Sequence, residues 1–545
     1  MARHPLAAVL MRRWNGWSEQ GVEAHLPDRA RDLLAQLVGP GTPPRDATLD
    51  EVVAAVPASR LADDEHWQTD PLARVLHARG QSLPDWVALR SGHLGTVPDA
   101  VARPGNASDV RAVMEAASTR GAHLIPYGGG TSVVGGVTPR PGDRPVISVD
   151  LAGTTGLHEL DDTSGLATFG AGTMGPAIEA ALAATGRTLG HFPQSFERST
   201  VGGWVVTRSA GQESTGYGRI EALFAGGHVE TPSGPLELPT HPASAAGPDL
   251  RQVILGSEGR LGILTDVVVR TSRIPQTVRI NAFVMRDWEA ALSLARTLAQ
   301  WRLPLSMVRV ATPLETATTF ALVGEGRGPT VLRRYLGMRG VGADRERCLV
   351  LVGLSGRTAI VDAAAGEVAR AVRDLRGVGA PGVGSAWRRE RFRAPDLRDS
   401  LWAAGYAVDT LETATDWTTL PDLAAALGRT LRHGLDGVGE RVHAFSHLSH
   451  VYPSGSSLYA TYIFRLAADP AETLDRWTRL KRAASDVVMT HGATISHQHG
   501  VGRDHAPYLA AEKGPLGMAA LDAVVQRLDP DRLMSPGVLL PEALP

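Results

Sequence analysis

The stretch "HLIPYGGGTSVVGGV", residues 123 to 137, constrains this chain most, because it places Gly128, Gly129 and Gly130 in a row directly after a short strand-like run. Adjacent glycines lose much conformational freedom on ordering and have no side chains to pack, so a stable domain keeps them where backbone must approach something closely. A phosphate cradled by successive backbone N–H groups, with the Thr131 and Ser132 hydroxyls beside them, is one candidate. Two common nucleotide loops are excluded. A P-loop needs a lysine after its last glycine, and Thr131 and Ser132 stand there instead; the dinucleotide fingerprint opens a helix, whereas this stretch runs on through Val133, Val134, Gly135 and Gly136 as loop.

The surroundings read as α+β. In "NASDVRAVMEAASTRG", Asn106 can cap a helix with Asp109 three residues on, Val110, Val113, Met114 and Ala117 keep helical spacing, and Gly121 ends it. "PVISVDL" (145–151), "GLHELD" (156–161) and "LATFGAGT" (166–173) read as strands, and "PAIEAALAAT" (176–185) as a helix with proline in its first turn. Residues 1–93, with joints such as "GPGTPPRD", form an expected N-terminal helical extension, and 94–276 a first α+β domain. Helices such as "DWEAALSLARTLAQ" alternate with strands such as "RCLVLVGLS" over 277–475, a second α+β domain, and 476–545 is expected as a C-terminal helical segment.

Composition removes several functions. With 545 residues, 43% hydrophobic, and a formal net charge of −2 without a basic tail, the chain is large enough for several cores and is not built for nucleic acid. The single cysteine, Cys348, lies in an apolar run, so it reads as core and no internal disulfide is available; a cytoplasmic location is expected. The apolar patch near the start is broken by Arg12 and Arg13, and no run approaches the roughly 20 apolar residues needed to span a bilayer. Only Lys481 and Lys513 are lysines among 55 Lys plus Arg, a coding bias of a GC-rich bacterial kind that carries no chemistry.

Two more stretches resemble the glycine loop in kind. "PQSFERSTVGGWVVTRSAG" (193–211) brings hydroxyls and Gly202–Gly203 ahead of a strand-like run, and "GSEGRLGIL" (256–264) is a glycine-rich turn with a carboxylate, Glu258. Together they imply a long ligand contacted by backbone. In order and spacing these stretches resemble the PCMH-type FAD-binding domain of the vanillyl-alcohol oxidase superfamily over about residues 96–276. The resemblance implies that Pro126, Tyr127, Gly128, Gly129, Gly130, Thr131 and Ser132 hold the pyrophosphate of FAD. It also implies that Gln194, Ser195, Ser199, Thr200, Thr207, Arg208, Ser209 and Ala210, with Glu258, Gly259, Leu261, Gly262 and Ile263, line the rest. The loop has no histidine after Pro126 and Cys348 lies outside this domain, so FAD is expected without a covalent link.

The reaction must be read elsewhere. "RRWNGW" (12–17), "SGSSLYATYIF" (454–464) and "ISHQHGVGRDHAPYL" (495–509) resemble the alkyldihydroxyacetonephosphate synthase group, with weaker likeness in "SMVRVATPLETA" and "APDLRDSLWAAGYAVDTLETATDW". From the residues alone, His497 and His499 would share one face of an extended segment, where two imidazoles can move protons near pH 7; a metal needs a third ligand, which no spacing supplies, so none is expected. Tyr459 shares a strand face with Thr461, and such a tyrosine by itself reads as packing. Arg309, inside an apolar run, wants an anionic partner. Arg398, between Asp396 and Asp399, reads equally as a surface ion pair.

The resemblance assigns Tyr459 as proton acceptor and donor, Arg309 a place near the flavin, and Arg398 the substrate phosphate. It implies exchange of the acyl group of an acyl-dihydroxyacetone phosphate for a fatty alcohol, with a homodimer and a peripheral membrane contact. One departure stands out: the group carries three consecutive histidines where this chain has His497, Gln498 and His499, and Gln498 cannot exchange a proton at neutral pH. The alternative is an FAD-linked oxidase or dehydrogenase of a D-2-hydroxy acid or alcohol. That branch shows G-D-G-N-x-H where "PSGSSLY" stands here.

Overall fold

The computed structural model describes residues 13–19, 25–323, 334–341, 346–393 and 395–540. Arg12, the apolar patch before it and the last five residues lie outside the described residues.

The first domain is built on two sheets. Strands Ala100–Ala102, Val146–Asp150 and His123–Tyr127 run parallel, Val146–Asp150 in the middle, with Trp67–Gln68 antiparallel at one edge. The helix Ala107–Thr119 buries Val110, Val113, Met114 and Ala117, the residues its spacing selects. Asn106 accepts from the Asp109 amide at 3.0 Å, while the Asp109 carboxylate takes the Gly105 amide at 2.9 Å, closing the cap one residue earlier than a capping box would. The second sheet has the order Leu157–Asp161, Leu166–Gly170, Ile263–Arg270, Phe224–Thr231, Gly234–Leu238, all antiparallel.

Between these sheets the sequence reading needs one correction. The run after Gly202–Gly203 is the helix Val201–Thr207, not a strand. Thr200 caps it by accepting from the Gly203 amide, and a Cβ at Gly202 would stand 2.9 Å from the Ala171 carbonyl oxygen. The two small residues let this helix lie directly on the Ala171 backbone, and its Val201, Trp204 and Val205 face the core.

The second domain is an eight-stranded antiparallel sheet in the order Val378–Gly379, Thr277–Met285, Cys348–Gly356, Leu305–Ala311, His443–Leu448, Gly455–Arg465, Tyr406–Asp416, with Val451–Tyr452 paired to Gly455–Arg465. Helices Trp288–Gln300, Thr358–Asp374, Leu420–His433 and Pro470–Thr490 share its main core cluster, and Cys348 is fully buried there. Each buried aliphatic side chain of this kind contributes about 1.5–3 kcal/mol. Strand alternation decides the other face: Val308, Val310, Leu458 and Tyr462 enter the core, so Arg309, Tyr459 and Thr461 point away from it, toward the first domain.

The terminal pieces tie the two domains together. Helix Pro470–Thr490 crosses the boundary expected at 475/476, because Asp469 caps it by accepting from the Ala471 amide. The chain then returns to the first domain, where Leu124 donates to the Leu533 carbonyl, the Ser535 amide donates to that of Leu124, and Arg260 pairs with Asp529 at 2.8 Å with both side chains fully buried. At the other end, Asp399 accepts the Trp17 and Ser18 amides at 2.9 Å each, drawing residues 13–19 onto the second domain.

Candidate active site

A cavity of about 530 Å³ opens between the domains. From the first domain it is walled by Pro126, Gly128, Gly129, Gly130, Thr131 and Ser132, by Gln194, Ser195, Ser199 and Thr200, by Thr207 and Ser209, and by Glu258, Gly259 and Gly262. From the second come Arg309, Arg398 and Tyr459, and from the C-terminal segment Gln498 and His499. The three glycine-rich stretches thus meet on one ligand space.

Five residues expected at the cofactor do not reach the wall. The Tyr127 hydroxyl donates to the Leu76 carbonyl at 3.2 Å, and its ring supports Gly130 from behind. Arg208 turns away at φ 53° to donate to Gln252 and to the Leu255 carbonyl. Ala210 is buried, and Leu261 and Ile263 belong to the first domain's core. Glu258 lines the cavity, but its two oxygens accept the Val501 and Gly502 amides at 2.6 and 2.8 Å, so it anchors the loop after His499. Burial pushes its carboxyl up to about 7.

The glycine row is explained first by protein. A Cβ at Gly129 would lie 1.8 Å from the Arg198 carbonyl oxygen, one at Gly128 2.5 Å from Thr200 Oγ1, and Gly130 sits at φ +61° against the Tyr127 hydroxyl. The loop is pressed onto the 198–200 segment on one side, leaving its other side to the cavity. Among the described residues the amides of Gly128, Gly130, Thr131 and Ser132 have no recorded acceptor. Amides, hydroxyls and bare Cα atoms along one wall fit a pyrophosphate and flat rings, so the residues present fit FAD.

Arg398 is no surface ion pair. Asp399 is fully buried and occupied by Arg90 as well as by the Trp17 and Ser18 amides. The Arg398 guanidinium lies 4.4 Å from the centre of the Trp86 ring and donates through Nη1 to the Gln81 carbonyl. Its Nε and Nη2 are buried without a partner. That edge of a guanidinium is the pair of parallel donors that binds a carboxylate or phosphate bidentately.

Tyr459 is placed by register: it lies opposite His447 on one neighbouring strand and Glu412 on the other. Its ring stacks on His447 at 4.9 Å and meets His499 edge-on at 5.7 Å. Burial raises its hydroxyl well above the usual phenol range, so it rests protonated. Arg309 finds its anion in Glu315 at 2.7 Å and also contacts His447 Nε2 at 2.9 Å. Burial, then the Arg309 charge, holds His447 below the usual imidazole range.

His497 and His499 do not share a cavity face, because residues 496–499 bend. His499 lines the cavity, and burial lowers its proton affinity. His497 lies behind the wall, its Nε2 2.7 Å from the Tyr452 hydroxyl, and burial pushes it down to about 4. Both surround Glu412, whose Oε1 is 3.2 Å from His497 Nδ1 and whose Oε2 is 4.0 Å from His499 Nε2. Gln498 donates to the same carboxylate. Glu412 stays ionised despite its burial because imidazoles flank it. The ligand partners that spacing did not supply are here: Glu412, His450 and His497 place one donor atom each within 4.8 Å of the others.

Sequence reasoning missed Glu412, His447, His450, Glu315 and Trp86. The signal for Glu412 was a charge in the strand-like "DTLETATD"; His447 acquires meaning only through cross-strand register, and His450, Glu315 and Trp86 only through tertiary packing.

Known proteins agree with this geometry. Residues 98–237 match the family described as FAD binding domain, and residues 274–539 the family described as FAD linked oxidases, C-terminal domain. An alkyldihydroxyacetonephosphate synthase of Dictyostelium discoideum is 28% identical over 97% of this chain and 93% of its own length. That relative is eukaryotic and lends nothing to a bacterial origin. A solved alkyldihydroxyacetonephosphate synthase superposes with a TM-score of 0.82 at 25% identity, covering 97% of this chain and 99% of that one. A p-cresol methylhydroxylase structure, at 15% identity and a TM-score of 0.67 over 90% of this chain and 96% of its own, shares the fold. The chain thus carries an FAD binding domain and an FAD linked oxidase C-terminal domain, and over nearly its whole length it is similar to alkyldihydroxyacetonephosphate synthases.

Proposed function

We propose that this FAD enzyme exchanges the acyl group of an acyl-dihydroxyacetone phosphate for a fatty alcohol, the step that makes an ether lipid precursor. The observation that carries the reading is that Arg398, whose Nε and Nη2 are buried without a partner, lines the same cavity as Tyr459 and His499. A buried cation with two orphaned donors calls for an anionic substrate group.

FAD, held non-covalently along the glycine-rich wall, supplies an electron-poor ring system that accepts a carbon nucleophile or a hydride. Arg398 holds the phosphate and fixes the sugar-like carbons relative to that wall. Because Tyr459 rests protonated, it passes a substrate proton on rather than storing it, and neutral His499 beside it is the acceptor. Arg309, neutralised by Glu315, keeps His447 stacked under Tyr459. Gln498 holds Glu412 by its amide and takes no proton. His497, behind the wall, supports the site without touching substrate.

Incubation of the yellow protein with palmitoyl-dihydroxyacetone phosphate and hexadecanol tests this: palmitate release without oxygen use is expected. The same fold also serves hydride transfer from a hydroxy acid, and lasting anaerobic bleaching by D-lactate without fatty-acid release would assign that reaction instead. A homodimer and a peripheral membrane contact belong to the same reading through the family resemblance, and a cytoplasmic location through the single cysteine. No helix among the described residues is long and apolar enough to cross a membrane.

A further inference from the structure

Behind the cavity wall lies a group that this chemistry does not use. Glu412 comes from the strand Tyr406–Asp416, His450 from the turn between His443–Leu448 and Val451–Tyr452, and His497 from the bend before His499. All three side chains are buried, and none lines the cavity.

The two donor separations at Glu412 match a coordination shell, and the three residues place one donor atom each within 4.8 Å of the others. Glu412 Oε1 stands 3.2 Å from His497 Nδ1 and 3.5 Å from His450 Nδ1. A tetrahedral zinc with ligand bonds of about 2.0–2.2 Å sets neighbouring donor atoms roughly 3.3–3.6 Å apart. The far side of each ring is also arranged. His450 Nε2 is 3.0 Å from the Gly211 carbonyl, which can only accept, so Nε2 carries a hydrogen and Nδ1 is the atom turned toward Glu412. A second-sphere carbonyl of this kind is the usual partner of a metal-bound imidazole. His497 Nε2 has the Tyr452 hydroxyl at 2.7 Å, whose oxygen can accept the Nε2–H and so leave Nδ1 as the free nitrogen of that tautomer. His497 Nδ1 is buried without a hydrogen-bond partner although Oε1 is 3.2 Å away, because the two are not aligned for one. Gln498 occupies Oε2 and so fixes Oε1 toward the rings, and Ser449 Oγ, 2.6 Å from Oε1 and 3.1 Å from His450 Nδ1, offers an oxygen for a fourth position.

The geometry points to a structural site for a zinc-class divalent cation held by Glu412 Oε1, His450 Nδ1 and His497 Nδ1. It clamps a sheet strand, the adjoining turn and the segment that carries Gln498 and His499, and so sets where the cavity's imidazole stands. The ligands lie 38 and 47 residues apart along the chain, so no short motif announces them.

The test uses tag-free holoenzyme dialysed against zinc(II), freed of loose metal and submitted to elemental analysis, with cobalt(II)-loaded protein followed by visible absorption beyond the flavin band. Expected are about one zinc per chain and tetrahedral cobalt absorption near 500–650 nm, both reduced at least about tenfold in Glu412→Gln and His450→Gln while the flavin spectrum shows those variants folded. Zinc below about 0.1 per chain with no cobalt band in the unmutated protein overturns the site; that measurement needs no variant to fold. Equal zinc in the unmutated protein and both variants overturns it as well, placing the metal elsewhere on the surface.

Discussion

Replacing Arg398 by alanine removes one specific edge, and the structure sets the size of the effect. Nη1 is spent on the Gln81 carbonyl and the ring face rests on Trp86, so what substrate gains is the Nε/Nη2 pair. Two charge-assisted hydrogen bonds at about 1.5–3 kcal/mol each amount to about 3–6 kcal/mol, or roughly 10²- to 10⁴-fold in kcat/KM at 1.4 kcal/mol per decade. Arg398→Lys keeps the charge and loses the fork, so its loss falls between the two. Palmitate release from palmitoyl-dihydroxyacetone phosphate should be measured beside release from the unphosphorylated ester. The alanine variant is expected to lose rate on the phosphorylated substrate and to change little on the other. A loss below about threefold, or an equal loss on both substrates, refutes phosphate recognition by this edge.

Tyr459→Phe is expected to keep a normal flavin spectrum and to lower turnover by about 10²-fold or more, since the phenyl ring still stacks on His447 but carries no proton; near-normal turnover takes Tyr459 out of the proton path. Gly129→Ala forces a Cβ to within 1.8 Å of the Arg198 carbonyl oxygen, so the loop must part from the 198–200 segment; flavin content per chain, read from the ratio of visible to 280 nm absorbance, should fall severalfold, and unchanged content contradicts the packing account. His443 is pushed down to about 4 from 6.5, first by burial and then by Arg432. The unfolded chain therefore binds the proton first, and stability present above about pH 6.5 is lost as pH falls toward 4, by on the order of 3 kcal/mol from this group. Urea midpoints should drop less over that range in His443→Gln, and parallel curves for the two proteins dispose of the assignment.

Local rules carried far in the first domain, because its cofactor wall is made of backbone. A glycine row after a strand, a capped helix at helical spacing and paired hydroxyls are each legible within a few residues, and all three glycine-rich stretches do meet at the cavity. The Val201–Thr207 helix was misread because Val and Trp favour strands; Thr200 as a cap and the close approach to Ala171 decided otherwise. The second domain's site was less legible. Tyr459 could be placed on a strand face, but its neighbours His447 and Glu412 belong to strands whose register only folding establishes. Asp399 looked like the partner of Arg398 because it is adjacent in sequence. In space it serves Arg90 and the backbone near Trp17, which is what leaves Arg398 free.

The central claim is a redox-neutral exchange at an FAD site, and anaerobic mixing of the purified yellow protein with palmitoyl-dihydroxyacetone phosphate and hexadecanol tests it most directly. The account predicts palmitate released in step with ether product while the 450 nm band returns to its starting height, roughly as for any flavin with no net reduction. Lasting bleaching with a hydroxy acid, and no palmitate from the ester, would contradict it.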